Sequence, residues 1–369
     1  MRTRNRENEI RPFRPVLPGE ILKDELEARG WTQGDFADIT GKPLQAVNEI
    51  ISGKKAITPE TAVLFSDALG TSAEFWLNLE SAYRLDLVRQ KTNVASAVSR
   101  KARIYSLAPL KELIKRGWIK ATDEIDELEK EVLKFLQLPD LEHPPAVAAR
   151  FRTSNAGLIN SPSLIAWVRK VEIEAQKISC PPFDRSKLRK ALPGLRVLSA
   201  MKNGPRLAIQ NLCELGVRVV IIPHLPQTRV DGAAFWLDSG SPVIALSLRL
   251  DRIDNFWFTL MHEIGHILEG PSSRKGYLDS NIEKEPEAEE EKKVNDFARD
   301  QLIPEKALRD FVGSNKPYFS RPRVLAFAGG LGIHPAVVVG RLQYENEIPY
   351  THFRNILEKT SAALNRDNQ

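Results

Sequence analysis

The chain has 369 residues, 42% hydrophobic and 27% charged, with 53 Lys and Arg against 48 Asp and Glu for a net charge of +5. This is an ordinary globular composition, long enough for two or three domains with cores of their own, and its mild charge suits only occasional polyanion contact. No apolar run reaches membrane-spanning length, the Arg-rich start lacks a signal-peptide core, and Cys180 and Cys213 have no metal spacing. A cytoplasmic protein in a reducing compartment, rather than a disulfide scaffold, is therefore expected.

Residues 1–14 carry Arg2, Arg4, Arg6, Arg11 and Arg14, a flexible basic arm that reads first as a solvated tail and second as a minor-groove reader. Residues 15–90 read as five helices. Pro18-Gly-Glu-Ile-Leu22 opens the first, running to about Arg29. A short helix over 32–39, a turn at Gly41-Lys-Pro43 and a helix over 44–51 follow. Thr58-Pro59 caps a fourth, and Thr71 with Glu74 is expected to form a capping box for the fifth. Small Ala37 and Gly41 permit two helices to meet closely at a steep angle. This string resembles XRE-type, lambda-repressor-like DNA-binding domains. It is particularly similar to HigA-type antitoxins, whose Ala-Leu-Gly-Thr-Ser-x-Glu-Phe-Trp-Leu-Asn-Leu block stands almost intact at 68–79. The resemblance implies operator double-stranded DNA as a partner, with the helix over 44–51 in the major groove. Gln45 and Asn48 are then the candidates for base edges, and Gln33, Lys42, Lys54 and Lys55 for phosphates. A homodimer formed through this domain is a further candidate, and a protein-interaction role without DNA is the plainer alternative.

Residues 91–194 are less informative and read as a helical linker or accessory region. Helices are expected over 106–117, 121–138, 145–152 and 161–178, with breaks after Leu138 and at Cys180-Pro-Pro182. His143 and His224 lie beside prolines and read as surface residues.

Residues 195–345 carry the chemistry. Residues 242–248 are apolar and β-branched and read as a strand; as an edge beside the next helix it would hold an extended peptide by main-chain hydrogen bonds. Residues 254–268 read as one helix, with Asp251 or Asp254 as N-cap, Phe258, Met261, Ile264 and Leu268 along one side, and Gly270-Pro271 as its stop. Inside it lies His262-Glu263-Ile264-Gly265-His266. Histidines at i and i+4 share a helix face, so both imidazoles reach one zinc ion, and the glutamate between them is where metallopeptidases keep their base. A pair of core histidines without metal is the plain alternative. A third ligand is expected from a helix over 283–302, with Pro286 in its first turn and Val294, Phe297, Ala298 and Leu302 on its apolar face. Most of its glutamates read as a solvated helix start. Glu291, one turn before Val294, can look inward beside Asn295, while spacing leaves Glu290 and Glu287 as alternatives. Tyr277 and His334 are the candidates for steadying an oxyanion. Residues 330–342 read as a terminal pair of helices, and 346–369 as a C-terminal tail.

Several ordered blocks now resemble the ImmA/IrrE family of zinc metallopeptidases: Val219-Val-Ile-Ile-Pro223, Gly232-Ala-Ala-Phe-Trp-Leu237, Ile244-Ala-Leu-Ser-Leu248, the run from Phe256 to His266, and Glu291-Lys-Lys-Val-Asn-Asp-Phe-Ala298 with Leu302-Ile-Pro304. The family implies Zn2+ on His262, His266 and Glu291, Glu263 as base, and a helix-turn-helix repressor as protein substrate. One departure is Phe235, where related sequences often carry a basic residue; it bears on substrate contacts. The expected fold is α+β and mostly helical, a five-helix domain followed by a zincin-like domain with a small mixed sheet. The expected function is a DNA-binding regulator with a zinc endopeptidase domain that cleaves a partner repressor or toxin–antitoxin protein. The alternatives are a HigA-like antitoxin whose second domain is a non-catalytic metal or sensor module, and a toxin-neutralising protein whose helix-turn-helix mainly dimerises.

Overall fold

The five N-terminal helices form from Pro18 onwards in the computed structural model, which describes residues 16–91, 94–143, 151–152, 161–238, 240–269, 276–280 and 289–364. The basic arm lies outside these residues. Contacts divide the chain into two compact units, Met1–Lys101 and Ala102–Gln369.

In the first unit, α1 (Pro18–Arg29), α2 (Gln33–Thr40), α3 (Leu44–Ile51), α4 (Pro59–Leu69) and α5 (Ala73–Lys91) enclose one core. Thr32 starts α2 with a reciprocal cap: its hydroxyl accepts from Asp35 N at 3.1 Å, and the Asp35 carboxylate accepts from Thr32 N at 2.8 Å. Thr58 caps α4 in the simpler way. The start of α5 differs from expectation. Ser72 Oγ accepts from Phe75 N at 3.1 Å, while Thr71 Oγ1 accepts from the Trp76 indole N–H at 2.7 Å. A buried indole N–H requires a partner, and Thr71 meets that need instead of capping the helix. Phe36, Phe65 and Trp76 are fully buried and meet edge to face, with centroids 5.0 and 5.4 Å apart. Side chains of this size each contribute about 1.5–3 kcal/mol through burial.

Helix α6 (Val94–Leu107) spans the boundary between the units, followed by α7 (Leu110–Lys115) and α8 (Ile125–Leu136). The helix expected over 106–117 is broken at Ala108, because a residue before proline is driven out of helical geometry. Of the helix expected over 145–152, residues 151–152 are instead the short strand β1 (Phe151–Arg152), and the remainder lies outside the described residues. Then come α9 (Pro162–Gln176), α10 (Arg185–Leu198) and α11 (Gly204–Glu214). Helix α10 runs through Pro193. Cys180 and Cys213, 33 positions apart, are joined in a disulfide with Cα atoms 5.3 Å apart. This corrects the expectation from cysteine spacing, which cannot register where two distant segments meet.

The centre of the second unit is a five-stranded sheet. It contains β2 (Arg218–Ile221), β3 (Val230–Trp236), β4 (Pro242–Leu246) and, after α12 (Ile253–Glu269), β5 (Gly276–Ser280), in the order β1-β5-β3-β4-β2. Strand β3 is antiparallel to β4 and β5, while β2 is parallel to β4 and β1 to β5. Strand β4 is therefore paired on both sides, which corrects its expected place at an edge: its main chain already serves two neighbours. The two faces of the sheet bury different helices. Ala234, Ile244 and Leu246 pack in one core with Phe256, Leu260 and Ile264 of α12. Ala233, Phe235, Val243 and Ala245 pack in another with residues of α6 to α9. Successive strand side chains point to opposite faces, so this split follows from period two. The part of the expected linker from Ala102 through α9 thus forms a layer over one face of the sheet, while Leu188 and Leu192 of α10 join the core on the α12 side. Trp167 of α9 fixes that layer, donating its indole N–H to Ile222 O at 2.9 Å.

After α12 come α13 (Glu289–Leu302), α14 (Glu305–Asn315), α15 (Arg321–Leu331), α16 (Pro335–Tyr344), a 3-10 turn (Arg354–Ile356) and α17 (Thr360–Leu364). The segment expected as a tail from 346 contributes buried Ile348 and Ile356 to the core around α12. Asp251 accepts from Ser361 N at 2.8 Å, and Asp254 accepts from Arg252, so each expected N-cap of α12 is engaged elsewhere. No single described helix is long and apolar enough to cross a membrane.

Candidate metal centre

Two consecutive helices, α12 and α13, supply the site. His262 and His266, four positions apart on α12, are each 1% exposed, and their Nε2 atoms approach to 3.0 Å. Glu291 enters from the first turn of α13, its two carboxylate oxygens 3.4 Å from His262 Nε2 and 3.6 Å from His266 Nε2. The three donor atoms lie within 4.8 Å of one another. Ligand atoms about 2.0 Å from a tetrahedral zinc are about 3.3 Å apart, so these residues fit that ion without rearrangement. Two buried nitrogen donors and one carboxylate also form a donor set typical of an open zinc site. Burial alone would raise the Glu291 carboxyl, but hydrogen bonds and charge from the two imidazoles outweigh it and hold the group at about 2. It is therefore a carboxylate at neutral pH.

Close packing makes this convergence available. A Cβ on Gly265, between the two histidines, would lie 2.8 Å from Val294 Cγ1 and 3.0 Å from Phe297 Cδ1, so only glycine lets α12 and α13 approach this closely. Gly232 of β3 does the same on the other side. A Cβ there would collide with Glu263 Oε1 and stand 2.7 Å from Thr259 Cγ2. Glu263 is fully buried against that strand.

Sequence reading gave no role to Asn295, although it lies one turn after Glu291 on the same side of α13. Its Oδ1 is 2.9 Å from His262 Nδ1. An Nδ1–H donated there leaves the Nε2 lone pair directed to the metal position, the usual way a neighbour fixes a ligand histidine. The signal was present in the i, i+4 spacing from Glu291, but nothing in the sequence paired Asn295 with His262.

The other candidates are placed as follows. Glu290 stands on the exposed side of α13, and Glu287 lies outside the described residues. Tyr277 lies in β5, its backbone in register with Ala234. His334 is the N-cap of α16: its Nδ1 accepts from Ala336 N at 3.1 Å, and burial pushes its pKa down. Phe235 is buried on the face of the sheet covered by α6 to α9, away from α12, so its departure from the family pattern falls outside the metal side. In the first unit, Gln45 and Asn48 are exposed on α3, while Ala46, Val47 and Ile50 are buried. Gln45 Nε2 donates to Glu49 Oε1 at 3.0 Å. Lys54 and Lys55 are exposed just past the helix, and Gln33 and Lys42 are half-buried near either end of α2.

Comparison with known proteins gives each unit a class. Residues 22–76 match the family described as helix-turn-helix, and residues 213–320 match the IrrE N-terminal-like domain of a peptidase family. The fold and site thus define a helix-turn-helix domain joined to a metallopeptidase-like domain. The curated relatives each cover between 20% and 24% of this chain. Antitoxin HigA-1 of Vibrio cholerae is 40% identical over 73 residues, 20% of this chain and 69% of its own length. The uncharacterized HTH-type transcriptional regulator YddM of Escherichia coli (strain K12) is 30% identical over 78 residues, 21% of this chain and 83% of its own. Among solved structures, the Pseudomonas aeruginosa antitoxin HigA with the higBA promoter is 33% identical, covering 21% of this chain and 86% of that one, with a TM-score of 0.21. The chain belongs to the HigA-like helix-turn-helix proteins and carries an IrrE-like peptidase-family domain in the same polypeptide.

Proposed function

We propose that this chain is a cytoplasmic DNA-binding regulator whose second unit is a zinc-dependent endopeptidase acting on a partner repressor or toxin–antitoxin protein. The observation that carries the reading is the convergence of His262, His266 and Glu291, with Glu263 buried beside them. His262, His266 and Glu291 would hold a zinc ion, which would supply an acidified water and polarise the scissile carbonyl. His262 and His266 present Nε2, with Asn295 fixing the His262 ring. Glu263, fully buried against Gly232 of β3, would take the proton from the attacking water and later deliver one to the leaving amine. A structural zinc would fill its fourth position with protein and would not need this carboxylate.

The first unit supports the DNA-binding part of the reading. The helix-turn-helix match covers 22–76, and the exposed side of α3 presents Gln45 and Asn48, amides able to pair bidentately with adenine. Gln33, Lys42, Lys54 and Lys55 would set the register on phosphates.

The test uses the full chain, with zinc measured by elemental mass spectrometry and the chain incubated with the proteins encoded beside its own gene. One zinc per chain and cleavage of one such protein are expected. Glu263→Gln should keep the zinc and lose about 10²–10⁴-fold in rate, the usual contribution of general acid–base catalysis. Unchanged cleavage by Glu263→Gln would refute the mechanism. A chain that binds no zinc would refute the centre.

A further inference from the structure

The groove between α12 and α13 does not end at the metal-site residues. The side of α12 that carries His262 also carries Asp254 and Phe258 at preceding turns, and the side of α13 that carries Glu291 continues through Asn295 and Arg299. These residues, with Arg341 of α16, line a cavity of about 340 Å³. None of His262, Glu263, His266 or Glu291 lines it, but Asn295 does, and Asn295 is the partner of His262.

Three guanidinium groups reach this cavity, and they are not equivalent. Arg252 is neutralised by Asp254, with Nε and Nη2 on the two carboxylate oxygens at 3.1 and 2.6 Å, and Nη2 also donates to Gln343 Oε1. Arg299 stacks 5.0 Å over the Tyr344 ring and donates to Asn295 O at 3.2 Å. Its nearest carboxylate, on exposed Asp296, is 3.5 Å away. Arg341 meets a half-exposed Glu345 at 2.9 Å through Nη2 only. Its Nε and Nη1 are fully buried and have no hydrogen-bond partner among the described residues. Burial pushes its pKa down; Glu345 opposes that shift and Arg299 adds to it. A guanidinium has no acceptor capacity, so buried donors left in this state are costly unless an oxyanion meets them.

The rest of the wall is apolar. Phe258, Leu302, Ile303 and Val337 form it, and Tyr344 and Tyr350 stand exposed beside it. The volume lies at the small end of the range for ligand pockets, about 300–1,000 Å³, which suits a metabolite-sized molecule. Charge and shape together specify the ligand class.

We infer that this cavity is a binding site for a small organic anion, with a carboxylate or phosphate head on Arg341 and Arg299 and an apolar body against Phe258 and Val337. Arg341 Nε and Nη1 point away from each other, so the oxyanion would take one of these two donors and a second from Arg299. The site requires no metal, so it stands or falls separately from the peptidase reading.

The test is isothermal titration of the full chain, zinc-loaded and chelator-treated, with 3-phenylpropionate, phenyl phosphate and the neutral 3-phenylpropanamide. Saturable binding of at least one of the two acids is expected in both preparations. The amide should bind at least about tenfold more weakly, the loss of one charge-assisted pair. Arg341→Met keeps an apolar stem and should weaken the acid by a similar factor, with circular dichroism and zinc content unchanged. Arg299→Gln, on a different helix, is a second variant should Arg341→Met fold poorly. Failure of both acids to bind, equal binding of acid and amide, or indifference to both arginine variants would overturn the inference.

Discussion

The helix-turn-helix unit and the peptidase-like unit place their candidate residues in opposite environments. On α3, Gln45 and Asn48 are exposed above a wall of Ala46, Val47 and Ile50, and their positions follow from helix period alone. In the other unit, His262, Glu263 and His266 are buried, and the third candidate ligand, Glu291, arrives from another helix. An exposed reading surface tolerates local change because water can replace any lost contact. A buried polar site does not, since each misplaced neighbour leaves charge uncompensated. Substitutions around the metal centre should therefore have large effects, and those around α3 small ones.

Beyond the ligands and Glu263, the largest expected effect is at Asn295. Asn295→Ala should weaken zinc binding about 10–100-fold, as loss of a histidine's supporting partner usually does, measured by chelator competition. Wild-type affinity in this variant would mean the contact with His262 Nδ1 does not orient the ring. Next is Gly232→Ala. Forcing a methyl against Glu263 and Thr259 should cost about 1–3 kcal/mol in denaturant unfolding and slow cleavage while zinc remains bound. A fully stable and active Gly232→Ala chain would show that β3 does not confine Glu263.

On the exposed side, Gln45→Ala with Asn48→Ala should weaken operator binding by about 1–3 kcal/mol for each lost base pairing and leave non-specific DNA affinity unchanged, measured by fluorescence anisotropy at fixed salt. Equal loss on specific and random DNA would assign these side chains to the backbone instead. The smallest effect is at the α2 cap. Hydrogen bonds from the Thr32 backbone and side chain hold the Asp35 carboxyl below its ordinary value. Its contribution to stability is therefore present above the usual carboxylate range and is lost as pH falls through the depressed value. Thr32→Ala should lower the Tm of the isolated transition by a few degrees near neutrality and narrow the difference in acid. A Tm difference that grows in acid would contradict this sign.

The same contrast governs what could be read from the sequence. Helices α1 to α4 were legible because caps, glycine stops and apolar spacing are local signals. So was α12, where Phe258, Met261, Ile264 and Leu268 mark one side. The failures share one cause, competition from tertiary partners. Thr71 serves the Trp76 indole rather than the helix end. Asp251 serves Ser361 rather than the start of α12. Strand β4 read correctly as a strand but not as an internal one, because pairing is invisible to a single segment. The histidine pair was readable from spacing, and Glu291 from the inward side of its helix. The contributions of Gly232 and Asn295 were not, since both depend on which atoms lie opposite.

The most direct measurement is zinc X-ray absorption spectroscopy on the full chain and on its Glu291→Ala variant. The account predicts one zinc per chain, bound to two imidazole nitrogens with the remaining positions filled by oxygen, and a marked loss of zinc in Glu291→Ala. A centre saturated by four protein ligands, or an absorption spectrum unaltered by Glu291→Ala, would contradict it.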